Sequence, residues 1–292
     1  MPAPASPYVV LGAPTDAHVH VGLVDRDALA RSVLGRVVDL GGDLAAPREL
    51  AGAPGIPPLR IDAAGPFLTP PGGYPSDRGW ADPAWVREIA DPEAAARVID
   101  EVADAGATCA KIASNSTAGP TFSTEMLSRI VELADRRGLG VVVHVEGPGE
   151  ADRALRAGAQ QLAHAPFTEG LSRREIAGHA ARMTWISTLA IHPPGSAERA
   201  TAVENVAAFH AAGGRLRYGT DMGNGPTPAG LNLAELDALR DAGLTTSDLL
   251  AALDLADPRD PAARLMMVDG EGDDLDFASA RPVTPESRED LR

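Results

Sequence analysis

The chain has a single cysteine, Cys109, so no intrachain disulfide can staple it, and a reducing, cytoplasmic setting suits it. Aromatic residues are scarce as well, at 4% of 292 residues. A core built from this chain must therefore be filled mainly by Ala, Val, Leu and Ile, and hydrophobic residues at 44% are enough to fill one. Basic residues are outnumbered, 26 Lys and Arg against 41 Asp and Glu, for a formal net charge of −15. That balance argues against a nucleic-acid partner, whose phosphates need a basic face, and against an anionic membrane surface. We read the acidity first as a solvated surface; a long-range attraction for metal cations is the sharper reading. No run approaches the roughly 18 apolar residues of a spanning helix. The opening MPAPASPYVVLGAPTDA lacks the charged n-region and long apolar h-region of a signal peptide.

What is present is an alternation. Short β-rich apolar runs are followed by Gly-rich or polar residues and then by Ala/Leu/Arg/Glu stretches at helical spacing, the pattern of βα units around a parallel sheet. Eight strands are predicted: 14–21, 36–40, 59–68, 107–113, 140–145, 160–164, 184–191 and 215–221. Helices are predicted over 91–106, which opens on Asp91-Pro92 and closes on Gly106, and over 123–138, 150–157, 172–181, 197–212 and 233–242. Residues 41–58 and 69–80 read as long loops, and loops after barrel strands shape a substrate pocket. The fold expected is a (β/α)8 TIM barrel over residues 1–268, for which about 250 residues suffice. The remainder, 269–292, is rich in charge, Pro and Ser and reads as a polar, peripheral tail.

His18-Val19-His20 lies inside TDAHVHVG. Residues i and i+2 of a strand share a face, so the two imidazoles project together and suit one metal ion. Alone the pair is weak evidence. Lys111, His144, His164 and Asp221 each fall toward the end of a predicted strand. Taken singly, each is as readily a satisfied polar group of the core. Together they fall where a parallel barrel collects its catalytic groups, and buried Lys and Asp are costly unless paired or metal-bound. Cys109 shares the parity of Lys111 and reads as a small core residue, while His179 and His210, inside predicted helices, read as surface residues.

The set resembles the amidohydrolase superfamily, in particular its imidazolonepropionase-like and Xaa-Pro dipeptidase-like branch. The motifs that carry the likeness are HVH at 18–20, CAKIAS around Lys111, VVVHVEG around His144, QLAHAP around His164 and YGTDMG around Asp221. The resemblance spans about residues 12–255 and includes DLGGD (39–43), DAAGPFLTPPGGYP (62–75) and the stretch 234–253. It implies that His18, His20 and Asp221 hold one divalent ion and that His144 and His164 hold a second. Lys111 would carry a CO2-derived carbamate between the two ions. The ions implied are Zn, with Mn, Fe, Co or Ni also accepted by such a donor set. A metal-bridging hydroxide would attack the carbonyl of an amide, cyclic amide or dipeptide-like substrate, with Asp221 as the catalytic proton carrier. The implied partner is a small molecule, and a homo-oligomer is compatible with it.

Three departures mark this chain. Only 17 residues precede His18, so the β-sandwich of relatives is expected to be absent or vestigial, with ARLMMVDG (263–270) as its remnant. Tyr74 stands where relatives often have His after the Gly-Gly of the third loop. His192 closes the predicted seventh strand. Tyr74 and His192 are candidate substrate contacts, against packing on the loop and facing solvent. The same centre could also serve a lyase, an isomerase or a specialised biosynthetic step, since a fold does not fix a reaction. A barrel that only binds a ligand is a third reading, opposed by the intact set of positions.

Overall fold

A computed structural model describes residues 8–284. The chain runs through β1 (Tyr8–Gly12), β2 (Thr15–Val19), α1 (Arg26–Arg31), β3 (Arg36–Asp39), β4 (Glu49–Leu50), β5 (Leu59–Ala63), β6 (Phe67–Thr69) and β7 (Val86–Glu88). Then α2 (Pro92–Asp104), β8 (Cys109–Asn115), α3 (Thr124–Arg136), β9 (Gly140–Glu146), α4 (Glu150–Ala157), β10 (Gln161–Leu162), α5 (Arg173–Arg182), β11 (Thr184–Ile186), α6 (Ala197–Ala211) and β12 (Arg215–Arg217) alternate. Finally come α7 (Leu233–Asp241), α8 (Thr246–Ala252), β13 (Leu265–Asp269) and β14 (Asp276–Pro282).

The helices form where local chemistry directs. Asp91 accepts a hydrogen bond from Ala94 N at the start of α2, with Pro92 in the first turn, where a missing N–H costs nothing. Ser123 caps α3, and Ser172 with Glu175 forms a reciprocal capping box on α5. In α3 the buried residues Leu127, Ile130, Val131 and Ala134 recur at i, i+3, i+4 and i+7, one stripe against the sheet. The helix–sheet core is aliphatic around one aromatic stack, Trp185 on Phe209, with ring centroids 3.9 Å apart.

Two sheets carry the site. A seven-stranded parallel sheet has the order β12-β11-β10-β9-β8-β6-β7, and a four-stranded sheet has the order β2-β3-β5-β4 with only β4 antiparallel. Backbone hydrogen bonds join them at two places. Ala17 N and His20 N donate to Tyr218 O (2.9 Å) and Met222 O (2.7 Å), and Val19 bridges Met222 in parallel. On the other side Thr108 N donates to Ala63 O at 2.9 Å. A separate small-residue cluster of Ala17, Val38, Ala64, Cys109, Val142 and Ala163, with Leu40 and Ile186, draws one or two residues from or beside each of β2, β3, β5, β8, β9, β10 and β11.

Several expectations need correction. The predicted strand 59–68 is two strands, because Gly65 turns at φ +73° ahead of Pro66, which has no N–H to donate. The predicted strand 184–191 stops at Ile186; Thr188 is left-handed (φ +49°) and Leu189–Ile191 makes a 3-10 turn, so His192 does not close a strand. The stretch 41–58 is not all loop, since Glu49–Leu50 pairs with β5. The polar tail begins later than expected: β13 and β14 pair antiparallel, and β1 pairs with β13, in a three-stranded sheet. Alternation along β14 buries Phe277 while leaving its neighbours Asp276 and Ala278 exposed, which sparse apolar content concealed. Residues 285–292 lie outside the described residues. His179 is fully buried rather than on the surface, and it accepts a hydrogen bond from Trp185 Nε1 at 3.2 Å. His210 is partly exposed beside Asp248.

Candidate metal centre

His18 lies in β2 and His20 follows its last residue. Each ring is tethered through Nδ1 to a backbone carbonyl, His18 to Ala163 O at 2.8 Å and His20 to Gly41 O at 3.2 Å. A carbonyl can only accept, so each Nδ1 carries a proton and each Nε2 is turned toward the cavity. Gly41 has φ +142°, and a Cβ there would collide with the Phe67 ring, so the carbonyl that orients His20 depends on glycine.

Asp221 lies beyond β12, in a turn that Asp16 braces. Asp16 accepts from His18 N (3.0 Å), Thr220 N (3.1 Å) and Thr220 Oγ1 (2.5 Å), which fixes the turn against β2. Asp221 itself has a left-handed backbone, φ +53°, an uncommon conformation for a non-glycine residue and one found at sites. Its Oδ2 accepts from Asn224 Nδ2 at 2.8 Å. Its Oδ1 lies 3.1 Å from His18 Nε2 and 3.0 Å from His20 Nε2, and is buried with no hydrogen-bond partner.

Lys111 sits in mid-β8 rather than at the strand end, with Nζ 3.3 Å from His18 Nε2. Burial pulls its ammonium down to about 8, against the opposing pull of Asp221. His164 follows β10, and its Nδ1 is 2.9 Å from the hydroxyl of the strained Thr188. His144, in β9, stacks against Tyr74 (centroids 5.3 Å, 24°) and has Nε2 3.4 Å from Glu146 Oε2 without a formed hydrogen bond. Glu146 is in turn held by Asn115 Nδ2 at 2.7 Å and Thr117 Oγ1 at 3.2 Å. The rings of His18 and His164 are 4.7 Å apart and those of His164 and His144 are 4.9 Å apart.

The electrostatics identify what the cluster suits. Burial and the neighbouring Lys111 hold the His18 imidazole well below its ordinary range, so it is neutral. Burial together with the His18 and His144 rings does the same to His164. The Nε2 atoms of His18 and His20 and the Oδ1 of Asp221 therefore converge at contact distance, and that oxygen is buried without a hydrogen-bond partner. A divalent cation among these three atoms would satisfy the unmatched oxygen. The donor atoms of His18, His20 and Asp221 lie within 4.8 Å of one another and are all buried, a candidate divalent-metal site. The tethered Nδ1 atoms are the outer contacts that fix ring orientation in metal sites.

His18, His20, Lys111, His144, His164 and Asp221 all line one cavity of about 300 Å³. Tyr74 lines it too. His192 does not; it packs on Phe167 (4.5 Å) and borders a neighbouring cavity that shares Asn224 and Gly225 with the first. Phe67, Trp80 and Asn224 also line the cavity and were missed. Asn224 had a signal, three residues after Asp221 in a Gly-rich turn. Phe67 and Trp80 sit in aperiodic segments and had none.

The molecule is an α/β protein whose parallel sheet carries a buried cluster that could hold a metal ion. No family model matches the chain, and no curated protein matches it. Solved structures do. Ochratoxinase of A. niger superposes at TM-score 0.70 with 17% identity over 91% of this chain and 78% of that one. A Xaa-Pro dipeptidase with bound methionine gives 0.66 with 18% identity over 90% and 82%, and an amidohydrolase gives 0.64 with 19% identity over 90% and 80%. The chain shares its fold with these structures. Among the described residues no helix is long and apolar enough to cross a membrane.

Proposed function

We propose that this chain is a metal-dependent hydrolase of a C–N bond, in an amide, cyclic amide or dipeptide-like substrate. In this reading the two sheets are arcs of one (β/α)8 barrel: β2, β3, β5 and β6 counted together as one interrupted strand, β8, β9, β10, β11 and β12. The backbone hydrogen bonds that join the arcs support it. His18, His20 and Asp221 would hold one divalent ion, and His144 and His164 a second. Lys111, its amine readily deprotonated in this setting, would take up CO2 as a carbamate, trading a buried cation for an anionic oxygen ligand. Zn fits the set, as would Mn, Fe, Co or Ni. Such a centre, when bound, lowers the pKa of a water and polarises a carbonyl. The rest falls to the chain. Asp221, held through Oδ2 by Asn224, accepts the proton of the attacking water and delivers it to the departing nitrogen. Tyr74, whose phenol burial pushes up to about 12, stays an O–H donor over the cavity.

The observation that carries this is the convergence of the His18 and His20 Nε2 atoms on the buried Asp221 carboxylate. The structurally similar proteins named above, an ochratoxinase, a dipeptidase and an amidohydrolase, agree with hydrolysis. Metal analysis of the purified protein tests it, combined with a screen of N-acyl amino acids, dipeptides and hydantoin-like rings. Bound divalent metal and turnover are expected. Protein free of metal that gains nothing from Zn or Mn with bicarbonate would overturn the reading.

A further inference from the structure

Beyond the centre itself, the cavity has a distinct chemistry. One wall is aromatic: Phe67, Tyr74 and Trp80 lie within 6.2 Å of a neighbour, ring to ring, and the Phe67 ring lies 5.6 Å from His20. Leu23, Gly223, Asn224 and Gly225 line the cavity as well. Besides Lys111, no Lys or Arg lines the cavity among the described residues, and Lys111 belongs to the centre. Arg78, on the same loop as Tyr74, lies over the Tyr74 ring at 5.6 Å and pairs with Asp77 at 3.2 Å. The Asn224 amide is occupied by Asp221. A ligand carboxylate entering here would face Asp221 and flat aromatic carbon, with no cationic side chain to receive it, and an unpaired carboxylate is costly to bury. A flat apolar group would instead cover the Trp80 and Tyr74 rings, contacts that aromatic pairs favour.

We propose that the site takes uncharged substrates with a planar apolar group next to the scissile bond, such as aryl or benzyl amides, carbamates or ureas. It discriminates against substrates bearing a free carboxylate on the carbon beside the amide nitrogen. This rests on the hydrolase reading only for turnover; the binding preference stands on the cavity alone.

A matched pair tests it: N-acetylbenzylamine and N-acetylphenylglycine, which differ only by that carboxylate. Affinity is read from quenching of tryptophan fluorescence in the protein as purified and after chelator treatment, with Trp80→Phe to assign the signal. Hydrolysis is read separately with metal added. The neutral ligand is expected to bind about 100-fold more tightly in both forms, the scale set by an unpaired buried carboxylate. Trp80→Ala should weaken it about tenfold, while Arg78→Ala leaves the preference unchanged. Equal or tighter binding of the carboxylate, or no binding of either ligand, overturns the proposal. Tight neutral binding with no hydrolysis of either ligand leaves the preference standing and counts against the hydrolase reading instead.

Discussion

Polar groups converge at two places in this molecule. Around the first residues of β3, β8 and β10, a small pocket gathers Arg36, Asp62, Gln161 and Arg217 beside Cys109. There opposite charges meet: Arg36 is bonded to Asp62, and Arg217 reaches Asp254 at 3.4 Å. Nearby, Arg264 donates to the carbonyls of Pro57 (2.5 Å) and Leu34 (3.1 Å). Around His18, the Nε2 atoms of His18 and His20 converge on the Asp221 carboxylate, and Asp221 Oδ1 is left without a hydrogen-bond partner. Burial separates the two, since Arg36 and Asp254 are partly exposed while Lys111 and Asp221 are buried. The contacts separate them further: complementary pairs satisfy each other, while Asp221 Oδ1 is buried without a hydrogen-bond partner.

The largest effect that would break this contrast is at Asp221. Asp221→Asn should lower kcat/KM by roughly 10²- to 10⁴-fold, with the unfolding midpoint nearly unchanged. Retained turnover would remove its proton-carrying role. Thr188→Ala removes the tether on His164 Nδ1 and should weaken metal affinity by about 10- to 100-fold in a chelator competition, without unfolding the protein. An unaltered affinity would make Thr188 a purely structural residue.

His179 sharpens the comparison, being a buried imidazole outside either cluster. The indole N–H of Trp185 can only donate, so His179 Nδ1 is bare and the ring neutral, and burial lowers its pKa to about 4. The unfolded chain protonates this group near 6.5 and the folded chain only near 4. Its stability contribution is therefore complete above pH 6.5 and lost as pH falls toward 4, by up to about 3 kcal/mol. In urea titrations from pH 7 to 4.5, His179→Gln should lose less stability than the parent; parallel curves would refute this. The smallest effect is expected at the paired cluster. Arg217→Ala should cost about 1 kcal/mol, since Asp254 is 46% exposed, and should leave kcat/KM within about twofold. A large loss of activity there would erase the distinction between the clusters.

Much of the architecture was legible along the chain. Helix starts were marked by Asp91-Pro92, Ser123 and Ser172, and most strands by β-branched apolar runs, because caps and periodicity act over a few residues. Errors fell where tertiary context overrides local pattern. Gly65 and Thr188 break strands through backbone turns that composition only hints at, and Phe277 anchors a strand inside a polar stretch. His179 looked solvent-facing because its helix is short on apolar residues, yet it meets Trp185.

The amino-acid order by itself determined which side chains are available for chemistry: a pair of histidines at strand spacing, and a lysine, two histidines and an aspartate set in apolar runs. It did so because burial of a strand is written in its own residues. Only the folded chain decided that their atoms meet, that carbonyls of Ala163 and Gly41 turn both Nε2 atoms inward, and that Phe67, Tyr74 and Trp80 wall the space above them. Those contacts join segments up to about two hundred residues apart, and no local signal encodes a distance between them.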